Sequence, residues 1–155
     1  MSNTLWSFAL DLYARPGVEQ ACLSLQDEHG EDICLLLCAA WLGERGVACT
    51  PARGWQLREV AADWQRDVIA PLRDLRRRWK TAASQDAGLA TLRRRLADLE
   101  QDAERELLRR LEALAAPWPD RESGAAPQWL AALASPTTNA AALASLAAAV
   151  RVAAY

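Results

Sequence analysis

Ten consecutive residues, Ile33-Cys34-Leu35-Leu36-Leu37-Cys38-Ala39-Ala40-Trp41-Leu42, contain no charge. Asp32 stands before the run as a capping residue and Gly43 follows it as a stop, which frames a helix. A helix that is apolar on every side has no face to give to water and must be wrapped by others. Ten residues are too few to cross a bilayer, where about 20 are needed. A helix over about 33–42 is therefore expected to be the buried central strut of a bundle.

Composition supports that reading. The chain of 155 residues holds 33 Ala and 24 Leu against 6 Val, 2 Ile and 6 Thr. Ala and Leu lose little on entering a helix, whereas the β-branched residues that suit a pleated sheet are scarce. The expected class is all-α, a helical bundle. The net charge of −2 lies far from the basic balance of a dedicated nucleic-acid binder. Met1–Tyr13 lacks a basic leader region and Asp11 interrupts its apolar stretch, so the expected location is cytoplasmic, with no membrane span. In that compartment Cys22, Cys34, Cys38 and Cys49 are expected as thiols, and no C-x-x-C spacing points to a metal or redox pair.

Around the strut the pattern predicts further helices. Ser2, Asn3 and Thr4 offer caps for a first helix to about Ala14, with Leu5, Phe8, Ala9 and Leu12 on one face. A second runs from Val18 to about Gln26, before a polar turn at 27–31. Thr50-Pro51 opens a helix expected over 55–81, whose apolar stripe includes Leu57, Ala61, Trp64, Val68, Leu72 and Trp79. Pro71 lies inside it and should kink it, at about 3 kcal/mol if nothing compensates. A long charged helix follows over 89–115. Four of the seven prolines fall in 117–139, which reads as a linker with one turn of helix near Gln128–Ala134. Asn139 caps an Ala-rich C-terminal helix that either docks or frays. The expected organisation is a bundle domain at 1–116, a linker at 117–139 and the C-terminal helix within 140–155.

Two constellations stand out. Asp27, His29, Gly30 and Asp32 form a polar turn able to meet a cation or a basic partner, although turn and cap needs alone account for Gly30 and Asp32. Arg73, Arg76, Arg77 and Lys80 share one helical face that would suit a phosphate backbone, or a solvated surface over Leu72, Leu75 and Trp79. No catalytic set assembles, and no metal or cofactor is expected. Trp55, Trp118 and Trp129 lie near helix breakers and are the candidates for exposed anchors on a partner. The leading expectation is a non-enzymatic protein-interaction or regulatory module, binding a protein or a second copy of itself through helix 89–115. A nucleic-acid-associated regulator acting through Arg73–Lys80 is the alternative, and a metal-assisted enzyme at the 27–32 turn the third.

One set of residues also carries a resemblance. Trp6-x-Phe8, Tyr13, Pro16-Gly17-Val18, Ala21-Cys22-Leu23-x-Leu25-Gln26-Asp27, Gly30, Asp32, Leu35-Leu36-Leu37 and Trp41-Leu42 are similar to an uncharacterised family of short all-helical proteobacterial proteins. Trp64 and Pro71-Leu72-Arg73 extend the likeness to about residue 80, and Cys34 stands where that family usually has Asn. The resemblance implies a cytoplasmic all-α protein and carries no activity with it. It does not reach the tail from 117.

Overall fold

The apolar run is the centre of the molecule. In a computed structural model that describes residues 4–122, 124–135 and 140–152, it lies within helix α3 (Ile33–Glu44), and every residue from Cys34 to Leu42 is buried. Asp32 caps the helix as expected, its Oδ1 accepting from the Leu35 N–H at 3.2 Å. The other described elements are helical too, so the chain is all-α, with no strand among the described residues.

Gly43 does not end α3. The helix continues to Glu44, and the left-handed turn falls at Gly46, φ 71°. What Gly43 supplies instead is room, because a Cβ there would overlap the Ala126 backbone. That close approach brings in α8 (Ala126–Leu133), the helix most extensively packed on α3. The stretch 117–139, expected as a linker with one helical turn, thus contributes to the core. Trp129, Leu130 and Leu133 are buried, and Trp129 Nε1 donates to the Val47 carbonyl at 2.7 Å. Trp118 stacks on Trp129 with ring centroids 6.2 Å apart. The C-terminal α9 (Ala140–Val152) docks on α2 (Val18–His29) and α8, burying Ala142, Leu146, Ala147 and Val150. Its expected cap, Asn139, lies outside the described residues, as do Ser2 and Asn3.

α1 (Leu5–Tyr13) is capped by Thr4, whose hydroxyl accepts from the Ser7 N–H at 3.1 Å. α2 runs three residues further than expected, to His29, so the polar turn shrinks to Gly30–Asp32, with Gly30 left-handed at φ 64°. The helix expected over 55–81 opens at the Thr50-Pro51 entry, and a widened turn precedes Pro71. α4 (Pro51–Trp64) begins at the Thr50 cap, which accepts from the Arg53 N–H at 3.2 Å. A π-helical turn, Gln65–Ile69, then leads into α5 (Ala70–Arg78) and the short α6 (Lys80–Ala83). The widened turn, in which the Ala70 N–H reaches the Gln65 carbonyl, carries the chain into Pro71, which has no N–H to give.

α7 (Ala87–Ala115) crosses the bundle, capped by Asp86. Its middle and second half bury Leu96, Ala103, Leu107, Leu108 and Leu111, whereas Leu92 and Leu99 stay half exposed. No helix among the described residues is long and apolar enough to cross a membrane.

Candidate functional site

The flank of α3 away from α8 is not closed. Between α1, the α2–α3 turn, α3, the π turn, α5 and α7 lies a cavity of about 490 Å³. α1 presents Trp6, Ala9, Leu10 and Tyr13 to it, the i, i+3, i+4, i+7 set beside its core face. α3 adds Ile33, Cys34 and Leu37, and α7 adds Gln101, Glu104 and Leu108. Gln26, Glu31, Asp32, Gln65 and Arg73 complete the wall. A second cavity of about 340 Å³ shares Glu31, Asp32, Gln65 and Arg73, so these four polar residues lie between two hollows.

Arg73 organises the polar end. Its Nε donates to Glu100 Oε2 at 3.2 Å and its Nη2 to Glu104 Oε1 at 3.0 Å. With its amide oxygen turned inward, Gln26 accepts from Arg73 Nη1 and Nη2 at 3.1 and 3.0 Å. Arg76 completes the set with Nε on Glu100 Oε1 at 2.6 Å. The pairs form because Arg73 and Arg76, one turn apart on α5, face Glu100 and Glu104, one turn apart on α7. Burial pushes the Glu100 carboxyl up, but bonds from Arg76 and Arg73 outweigh it and hold the group below its ordinary range.

Asp32 has a different balance. Its Oδ1 serves the α3 cap, while Oδ2 is buried with no hydrogen-bond partner. Burial raises its carboxyl, against the opposing pull of the Leu35 N–H, the Gln65 side chain, the Cys34 N–H and the Arg73 charge. Glu104 is raised as well, first by burial and then by Glu100 and Asp32, with Arg73 opposing. Glu31 is 9% exposed and accepts from the Ser135 N–H at 2.7 Å. Cys34 is a free thiol driven well up by burial, with its Sγ 3.7 Å from the Glu104 carbonyl. Such a thiol is a poor nucleophile.

A family described as a protein of unknown function (DUF2390) matches residues 4–111. The chain belongs to the DUF2390 family. No curated protein and no solved structure matches it. The DUF2390 match runs past the limit of about residue 80 that the sequence resemblance suggested, and takes in every residue lining the larger cavity. α8 and α9 lie beyond it.

The residues singled out from sequence divide. Arg73 and Arg76 turn into the α5–α7 contact, with side chains 16% and 28% exposed. Arg77 stays exposed, 4.0 Å from Asp27, and Lys80 is exposed as well. Of the polar turn, Asp32 and Gly30 hold the turn and cap roles expected of them, and Asp32 also lines the cavity. Asp27 is exposed on α2, and the His29 side chain lies outside the described residues. Among the described residues no group of three or more His, Cys, Asp or Glu gathers to hold a metal. Of the candidate anchors, Trp55 is 59% exposed, Trp118 is partly buried and Trp129 is fully buried. Sequence reasoning missed Tyr13, Gln26, Gln65 and Glu104. The available signal was the i, i+4 pair Glu100/Glu104 set against Arg73/Arg76.

Proposed function

We propose that the protein is a non-enzymatic regulatory or interaction module of the bacterial cytoplasm, and that it holds a small ligand in the cavity on the open flank of α3. What supports this is a hollow of about 490 Å³ whose wall joins the carboxylates of Asp32 and Glu104 to an apolar surface from Trp6, Leu10, Leu37 and Leu108. Small-ligand sites of this volume combine apolar walls with a few placed polar groups. Four free cysteines, three of them buried, favour a reducing compartment. Burial keeps the cavity's thiol, Cys34, protonated, which favours binding over nucleophilic catalysis there. An isotope-labelled sample screened by NMR against small fragments tests the site. Shifts clustering at residues 6–13, 31–37 and 101–108 are expected, and a screen in which no fragment of any charge perturbs them would sink the reading.

A second reading rests on α7. Leu92 and Leu99, seven residues apart, are 50% and 51% exposed, and Leu99 joins Trp64, Val68, Pro71 and Leu72 in an open apolar groove. That face supports self-association or a protein partner. Sedimentation of the wild type and of L92E/L99E checks it, with loss of any dimer on substitution as the expected result. The nucleic-acid reading has less to draw on, because Arg73 and Arg76 are engaged by carboxylates.

A further inference from the structure

We propose that the ligand of this cavity is an organic cation, an ammonium head on an apolar body, seated with its head against Asp32 and Glu104. This rests on the cavity reading above and adds the chemistry of what fills it.

The charge balance of the wall points that way. Three carboxylates, Glu31, Asp32 and Glu104, line the hollow against the single guanidinium of Arg73. Arg73 is already divided among Glu100, Glu104 and Gln26, so it has little left for an incoming anion. An anionic ligand would meet three like charges in a poorly solvated place. A neutral one would leave the excess negative charge unanswered. An ammonium answers it by pairing with the Asp32 and Glu104 carboxylates of the wall. Burial raises the Asp32 and Glu104 carboxyls with Arg73 opposing it, and a further cation beside them would add to that opposing charge.

The rest of the wall selects an organic cation over a bare metal ion. A hard cation takes about six to eight oxygen ligands, but here Asp32 Oδ1 caps α3 and Glu104 Oε1 holds Arg73. Beyond the acids the surface turns apolar with Trp6, Leu10, Ile33, Leu37 and Leu108. Leu10 at 53% and Tyr13 at 37% exposure mark the side open to solvent. Trp6, whose ring carries the Arg105 guanidinium 4.7 Å from its centroid, and Tyr13 add aromatic surface that suits a flat apolar body.

Calorimetric titration of the full chain at pH 7 with three matched probes tests the proposal: phenethylamine, 2-phenylethanol and 3-phenylpropanoate. The amine is expected to bind at least about tenfold more tightly than the alcohol, a difference of about 1.4 kcal/mol, with the carboxylate weakest. Asp32→Asn preserves the cap, since Asn caps as well as Asp, and should cost the amine about tenfold while leaving the alcohol unchanged. Glu104→Gln should act in the same direction and stands in if Asp32→Asn misfolds. Tighter binding of the alcohol or the carboxylate overturns the cation and leaves the cavity intact. Binding of none of the three also overturns the cation, and the fragment screen then decides the cavity separately. Equal loss of amine and alcohol in both variants assigns Asp32 and Glu104 a structural role and overturns the proposal.

Discussion

The two flanks of α3 are built on opposite principles. Toward α8 the contact is dry: Gly43 lets the Ala126 backbone approach, and Trp129 is fully buried with its one polar atom satisfied by Val47. Toward α5 and α7 the same helix borders a hollow edged by Asp32, Arg73 and Glu104, with Glu100 and Arg76 paired behind Arg73. Apolar packing stabilises outright, whereas a shielded ion cluster gives back in desolvation much of what it gains in attraction. The first flank therefore secures the fold. The second is retained at little benefit to stability, which is what a binding surface looks like from the standpoint of energy.

That contrast can be broken at several strengths. Trp129→Ala on the dry flank should cost about 3–5 kcal/mol, read as a large drop in the urea midpoint. If it cost no more than an exposed substitution, the dry flank would not be the stabilising one. Arg73→Met on the charged flank should cost up to about 3 kcal/mol at pH 7, because Glu104 and Asp32 lose their opposing charge. Its deficit should shrink in acid as those carboxyls take up protons. Urea melts across pH 4 to 8 measure both features, and a deficit constant with pH would remove the electrostatic explanation.

Asp32→Asn sharpens the comparison with a gain. A carboxyl raised in the folded protein binds protons more tightly there than in the unfolded chain, so its ionisation lowers stability as pH climbs above the ordinary aspartate range. The Asn variant should melt above the wild type at pH 7, with the gap closing as pH falls toward about 4. Thermal unfolding at both pH values checks the sign. Smallest of all, Trp55→Ser at a 59% exposed site should move stability by less than about 0.5 kcal/mol. A larger change in the unfolding midpoint would show that Trp55 packs on something.

The sequence made α3 easy to read and α8 hard. An unbroken apolar decapeptide has one physical solution, whereas Ala126–Leu133 is short, Ala-rich and flanked by prolines, so its local pattern looks like a linker. Its place in the core depends on a glycine eighty residues earlier giving it space, and no local signal carries that. Asp32 was legible as a cap because capping is local. Its idle oxygen was not, since that depends on what α5 and α7 bring near it. Of the Arg73–Lys80 set, Lys80 falls on α6 and Arg73 and Arg76 meet α7, because the register between two helices is set by packing and not by either sequence alone.

The π turn has a consequence for that register. A regular helix rotates by about 100° per residue, and a π turn takes up an additional residue within its widened loop. It acts as a spacer in the gearing of the helix: removing one residue from Gln65–Ile69 would close the widened loop to an ordinary turn with Arg73 and Arg76 still facing Glu100 and Glu104, whereas removing a second would swing them about 100° around the axis. The charge of the hollow thus has one residue of slack in a segment that contributes only Gln65 to its wall, and a deletion of two would re-aim the arginines while leaving both of them in the sequence.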